Sequence, residues 1–135
     1  MPVPIERFSL ERHDGPYESW PLRTRLLADG APTGILLPAY AMLKQYEVPA
    51  GYLLAMDCDC PFEEATTFAL VSRDLRLLAR RTFSAMYGTF LLDHVKWEDE
   101  SRFIATFHRD ARYELTIRER AIPLFRPRLG VRELK

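Results

Sequence analysis

Apolar and polar residues alternate along FLLDHVKWEDESRFIATFHRDARYELTIR, residues 90–118, and this period of two is the strongest constraint on the fold. The alternating apolar positions are Val95, Trp97, Phe103, Ala105, Phe107, Tyr113, Leu115 and Ile117. Such alternation is typical of strands that bury one face. The polar breaks EDES and HRDA are typical of turns, and turns this short connect antiparallel strands. The stretch therefore predicts a three-stranded antiparallel meander.

One strand register places all of these apolar side chains on a single face. In this register Trp97 lies opposite Phe103, and Phe107 lies opposite Tyr113. It follows that Phe103 faces Ile117 across the second pair of strands. Because side chains alternate between the two faces of a sheet, a shift by one residue would turn the whole apolar set towards solvent.

Several upstream segments add to this meander. We interpret as strands the apolar segments GYLLAMDCDC, TTFALVS and RLLARRTF, which polar turns separate. Residues 38–48 fit both helical and strand spacing, and the proline at each end with a valine- and tyrosine-rich finish favours a strand. An edge strand is predicted from IERFSLERHD, and a short helix that ends at Gly30 is predicted from WPLRTRLLADG.

These segments predict a mainly β fold in a single domain that spans residues 1–135. We expect about seven or eight antiparallel strands in meander order, arranged as a sandwich or a partly open barrel. At most one or two short helices accompany them. Residues 118–135 are expected to form a basic, extended C-terminal segment.

The charge balance and the cysteine content bear on the class of protein. Nineteen basic and nineteen acidic residues give a net charge of zero, so nothing points to a nucleic acid or a membrane as a partner. No run reaches the roughly 18 apolar residues that a membrane helix needs, and MPVPIERFSL lacks the pattern of a signal peptide. Two cysteines two positions apart make no disulfide framework, so we expect a cytoplasmic protein.

The stretch AMDCDCPFEE, residues 55–64, concentrates thiols and carboxylates. Its two cysteines continue the apolar row of their strand, so we expect reduced, buried thiols and no bound metal or other cofactor. A structural zinc site needs four ligands, and no histidine lies at ligand spacing. The acidic side chains here are Asp57, Asp59, Glu63 and Glu64. They predict either a solvated strand end that deters aggregation or a site for a basic partner surface.

A polar patch is predicted on the outer face of the meander. Under the register above, His94 lies opposite Thr106, Glu114 flanks that threonine from the other side, and His108 lies opposite Arg112. Two histidines beside a carboxylate are compatible with acid–base catalysis or metal binding, and equally with an ordinary polar face. Because no nucleophile motif and no Gly-rich phosphate loop accompanies them, we assign no catalytic residue.

Charge is divided unevenly along the chain. Residues 118–135 contain six basic and two acidic residues, a net charge of +4, and the rest of the chain carries −4. Within this tail, Arg126 and Arg128 are candidates for pairing with carboxylates, and Phe125 and Leu129 are apolar. A tail that docks on a second copy would bury these apolar residues, so we expect a homodimer that uses the tail or an edge strand.

Two classes of function fit these observations. The first is a non-enzymatic interaction or accessory module that binds another protein or a second copy of itself. The alternative is a β-barrel that binds a small ligand or a metal at residues 57–64 or at the His94/His108 face. Such a barrel could be an enzyme. A filled core favours the first class, and a pocket with converging polar groups favours the second. The DCPFEE junction followed by hairpins resembles small bacterial β-domains, and this resemblance implies no activity.

Overall fold

Twelve antiparallel strands in three sheets make up the fold of the described residues. The computed structural model describes residues 1–60, 63–84, 90–118 and 127–134. Over these residues there is no α-helix, and the only helical elements are two 3-10 turns, Tyr17–Ser19 and His108–Asp110. The predicted fold class, a mainly β antiparallel sandwich, is confirmed, and the structure contains more strands than the seven or eight expected.

The three sheets are named by their position. The central sheet has the order β1-β5-β6-β7-β8 and consists of β1 Val3–Pro4, β5 Ala41–Val48, β6 Gly51–Cys60, β7 Glu63–Val71 and β8 Leu77–Phe83. The N-terminal sheet consists, in order, of β2 Phe8–Leu10, β3 Thr24–Ala28 and β4 Ala31–Leu37. The C-terminal sheet has the order β12-β11-β10-β9 and consists of β9 Leu92–Trp97, β10 Arg102–Phe107, β11 Arg112–Ile117 and β12 Leu129–Leu134.

Residues 51–56 of β6 and 66–71 of β7, in the middle of the central sheet, are buried on both faces, so the molecule has two cores. Leu53 and Phe68 of the central sheet pack with Phe103 and Leu115 of the C-terminal sheet. On the opposite face, the alternate residues of the same strands pack against the N-terminal sheet: Tyr52, Leu54, Met56, Ala69 and Val71 meet Phe8, Leu26, Ile35 and Leu37. The unbroken apolar runs in β6 and β7 follow from this double burial, because neither face of these strands meets solvent.

The meander lies in the C-terminal sheet, and its register is partly as predicted. Trp97 lies opposite Phe103, as expected. The second pairing is wrong by two residues: Phe103 faces Leu115, and Tyr113 faces Ala105. A shift of two residues keeps every side chain on its face. The predicted core set is therefore correct: Phe103, Ala105, Phe107, Leu115 and Ile117 are buried and Tyr113 is half-buried.

The register differs because the connecting turn is tighter than expected. The N–H of Phe107 donates to the carbonyl of Ala111 at 2.8 Å, so the hairpin closes over only the three residues 108–110. Asp110 has a φ of 63°, in the left-handed region that lets such a short turn reverse the chain.

Residues 20–30 form a strand and a turn, so the predicted helix is wrong. β3 runs over Thr24–Ala28 and pairs with β4 through a two-residue turn, Asp29-Gly30, in which both residues have positive φ. This is the Asp-Gly hairpin turn that matches the twist of paired strands. The strand favoured for residues 38–48 is confirmed as β5, and the edge strand expected near the N-terminus is confirmed as β2.

We expect Phe107→Ala to destabilise the protein by about 3–5 kcal/mol, because it removes a fully buried ring and leaves a cavity in the core. The side chain is 1% exposed and contacts the rings of Phe68, Phe83 and Tyr113. Ile104→Ala, on the outer face of the same strand, is the control and should cost far less. Urea unfolding measures both; equal losses would contradict the two-faced packing.

Gly51 begins β6 at a point where a side chain cannot fit. Its φ is 141°, and a Cβ built there would lie 2.1 Å from the carbonyl oxygen of Val71. Gly34 also has positive φ, of 85°, but an added Cβ would meet nothing within 4 Å. We therefore expect Gly34→Ala to cost about 1–2 kcal/mol from backbone strain alone. Gly51→Ala should cost clearly more in the same unfolding measurement, and an equal or smaller loss would show that the close approach is not maintained.

Candidate functional site

The acidic strand end predicted from the sequence falls at the β6–β7 hairpin. The backbones of Asp59 and Glu64 pair, as do those of Cys60 and Glu63. Asp57 is half-buried, and its carbonyl accepts the N–H of Tyr40 at 2.9 Å. The side chains of residues 58–60, 63 and 64 lie outside the described part of the structure, so the predicted reduced thiols and the carboxylate cluster remain predictions.

The predicted histidine patch does not converge as expected. His94 is exposed and lies opposite Thr106, as predicted. Glu114, however, lies opposite Ile104, and its carboxylate pairs with Arg132 at 3.2 Å. Thr106 instead lies opposite Arg112, and His108 lies in the 3-10 turn. Because the tight turn shifts the register by two residues, Glu114 does not flank Thr106, the residue that lies opposite His94.

The predicted C-terminal tail contributes β12 to its own chain. Leu129 is 1% exposed and belongs to the core between the central and C-terminal sheets, so its burial needs no second copy. The backbone carbonyl of Arg128, which is half-buried, accepts the N–H of Arg118 at 2.7 Å. Arg126 and Phe125 lie outside the described residues. Pairing of the tail with a partner is thus untested and remains a prediction.

Two kinds of feature are absent from the described residues. They contain no group of three or more histidine, cysteine or acidic side chains placed to hold a metal ion. No helix within them has the length and apolar character needed to cross a membrane.

A groove runs between an edge strand of the N-terminal sheet and a part of the central sheet that β1 leaves uncovered. It has a volume of about 570 Å³ and lies between β2 of the N-terminal sheet and the first half of β5 in the central sheet. Ile5, Leu10 and Met42 are half-buried apolar residues in its lining that pack against the core beneath. Leu43 lies in its wall and is 38% exposed. We call this feature the edge groove.

Gln45 of β5 holds β2 in place across one end of the edge groove. Its Oε1 accepts the N–H of Phe8 at 2.7 Å and the N–H of Arg7 at 2.9 Å. Its Nε2 donates to the carbonyl of Phe8 at 2.9 Å. The carboxamide thus makes with Phe8 the pair of hydrogen bonds that a backbone residue of a neighbouring strand would make.

The backbone of β2 presents further unpaired groups to the edge groove. The carbonyl of Arg7 accepts the N–H of Asp29, and the N–H of Glu11 donates to the carbonyl of Arg25. The odd-numbered residues in and beside β2 therefore direct their backbone groups towards β3. In an antiparallel pair the intervening residues direct their N–H and C=O to the opposite side. Leu10 therefore directs both groups into the edge groove, where the described residues supply no partner for them.

An aromatic cluster lies at one end of the edge groove. Tyr40 lines the groove, and its ring meets the rings of Trp20 and His13 at centroid distances of 5.1 and 5.6 Å. The Tyr40 hydroxyl donates to the carbonyl of Pro21 at 2.7 Å, and Nε2 of His13 lies 3.0 Å from the hydroxyl of Thr24. These bonds tie the cluster to the residues that precede and follow it, so the three rings form one aromatic wall.

Charged groups surround the edge groove unevenly. Arg12 and Lys44 lie in its lining, and Glu6 is its only acidic lining residue. Across β2, Arg7 contacts Asp29 at 3.0 Å, and this hydrogen bond raises the pKa of the guanidinium. Burial raises the pKa of the Tyr46 phenol, so Tyr46 is a neutral part of the lining.

None of the edge groove was predicted from the sequence. Gln45 bonds to residues 37 and 38 positions away, and no local pattern encodes such a contact. One signal was present: Pro4 lies within β1, and proline within a sheet is found at edges. The neighbourhood of β1 could therefore have been inferred to be a sheet edge.

The described fold is an all-β arrangement in which the middle strands of a central sheet are covered on both faces and a strand edge lies open in the edge groove. Comparisons of this chain with protein-family models, with curated proteins and with solved structures find no match.

We expect Gln45→Ala to destabilise the protein by about 1–3 kcal/mol, because it leaves the part-buried N–H groups of Arg7 and Phe8 without an acceptor. Gln45→Glu is the matched control. Its carboxylate still accepts from both groups, but its second oxygen opposes the Phe8 carbonyl in place of a donor, so part of the loss should remain. Urea unfolding at neutral pH compares them, and a Gln45→Ala variant as stable as the wild type would contradict this role.

Proposed function

We propose that this protein is a non-enzymatic interaction module that binds another protein through the edge groove. The observation that carries the proposal is the groove itself, which combines half-buried apolar residues with a strand edge on which the N–H and C=O of Leu10 have no partner in the described part of the chain. Apolar surface rimmed by polar groups and left open to solvent is characteristic of protein-binding sites. An open strand edge can also form backbone hydrogen bonds with a segment of another chain.

Other features support a binding role over a catalytic one. Buried apolar side chains occupy the interior on both sides of the central sheet. A partner would therefore be bound at the protein surface. At the histidine face, the Glu114 carboxylate engages Arg132 rather than a histidine. The alternative function, a small-ligand or metal-binding β-barrel, would use residues 57–64 or the His94/His108 face. The side chains of residues 58–64 lie outside the described part of the structure, so the proposal is weighed against this alternative only at the histidine face.

A second copy of the chain is another possible occupant of the edge groove, as the sequence analysis expected for an edge strand. Pairing of two identical edges would give a symmetric dimer, the commonest assembly of soluble proteins. In the cell, a partner protein and a second copy give cross-linked products of different mass, so one experiment separates them.

We expect a photoreactive phenylalanine at position 43 to cross-link a protein partner in cells of the native host. Leu43 is in the groove wall and 38% exposed, so the substitution leaves the core unchanged. Position 36 provides the matched control, since Leu36 is 48% exposed on the outer face of the N-terminal sheet. Gel analysis and mass spectrometry should show a discrete adduct for position 43 and none for position 36. Equal products from both positions, or none from 43, would contradict the proposal.

A further inference from the structure

We propose that the edge groove binds its partner by strand addition, so that the ligand is an extended peptide segment rather than a folded surface. This inference rests on the proposed interaction function and specifies its partner class. In strand addition, backbone hydrogen bonds supply affinity, and alternate side chains supply specificity.

The molecule already contains one example of strand addition at this edge. β1 pairs antiparallel with β5 through Val3 opposite Glu47 and Pro4 opposite Tyr46, and the N–H of Ile5 donates to the carbonyl of Gln45 at 3.0 Å. After Ile5 the chain leaves β5 and joins the N-terminal sheet at Phe8. No strand of the described chain then pairs with the outer edge of β5 over residues 41–44.

The Gln45 carboxamide shows what the free edge of β2 accepts. It bonds to both the N–H and the C=O of Phe8, as a peptide group would. Two residues further along, the N–H and C=O of Leu10 point the same way without a partner in the described chain. Because outward-facing groups recur every second residue, an extended peptide that follows the carboxamide would meet Leu10 with the same hydrogen-bond geometry.

The lining of the edge groove indicates the side chains that such a peptide carries. Every second side chain would face Ile5, Leu10 and Met42, which are half-buried and apolar, so those positions should be apolar. Neither Arg12 nor Lys44, which line the groove, forms an ion pair within the described residues. We therefore infer an acidic residue in the peptide near these two cations.

A phage-displayed library of random peptides, panned on the full-length protein, tests the proposal. Leu43→Asp places a charge in the groove wall, and Leu36→Asp places one on a distant exposed leucine. Circular dichroism first establishes that both variants fold. Peptides with alternating apolar residues and an acidic residue should bind the wild type and Leu36→Asp, and bind Leu43→Asp at least about tenfold more weakly. Failure to enrich any peptide, or equal binding to all three proteins, overturns the proposal.

An N-methyl scan of a selected synthetic peptide tests the backbone role directly. Methylation removes one N–H at a time, so affinity should fall about tenfold or more at every second position and little at those between. Hydrogen exchange of the Leu10 amide should slow in the complex. A uniform profile without period two, with Leu10 unchanged, overturns strand addition.

The two proposals can fail separately. A cross-linked protein at position 43 together with a uniform N-methyl profile would leave the interaction function standing and show that a folded surface binds instead. A self-adduct at position 43, with a dimer in light scattering that Leu43→Asp dissociates, would assign the groove to a second copy and overturn the peptide inference.

Discussion

Burial of the central sheet on both faces is the constraint on which the rest of the structure depends. β6 and β7 send alternate side chains into two different cores, so each strand must be apolar on both sides. Among the described side chains of β7, the buried polar ones are Thr66 and Thr67, which bond to the carbonyl of Phe90 and the hydroxyl of Thr82. Because two faces need two covers, the segments before and after these strands each form a sheet of their own, and the interior is filled.

With both faces of β6 and β7 covered, the central sheet presents unpaired backbone groups at its edges, and the two edges differ. At one edge, β8 carries the exposed arginines Arg80 and Arg81, and charged side chains on an edge strand deter pairing with another chain. Nε of Arg81 also donates to the carbonyl of Leu129 at 3.2 Å, which ties this edge to β12. The opposite edge, at β5, is covered by β1 over only part of its length.

The sequence predicted what local pattern determines and missed what depends on distant contacts. Alternation fixed which side chains of the meander are buried, because period two survives a shift of two residues. It could not fix the second register, which a single left-handed residue, Asp110, decides. Near Gly30 the structure has a hairpin turn in place of the predicted helix, and the dipeptide Asp29-Gly30 is itself a strong sequence signal for such a turn. The edge groove was beyond sequence reasoning, because Gln45 reaches Phe8 only in the folded chain.

Proline explains why the open edge lies at β2 rather than at β1. Since Ile5 donates its N–H to Gln45, the alternate residues Pro2 and Pro4 face away from β5, towards the outer edge of β1. Proline has no N–H, so this outer edge offers no donor at either position and cannot extend the sheet further. Leu10 of β2, by contrast, keeps both its donor and its acceptor directed into the edge groove. Prolines at β1 and arginines at β8 thus disfavour pairing with another chain at those two edges. The edge of β2 beside Gln45 carries neither and stays open to pairing.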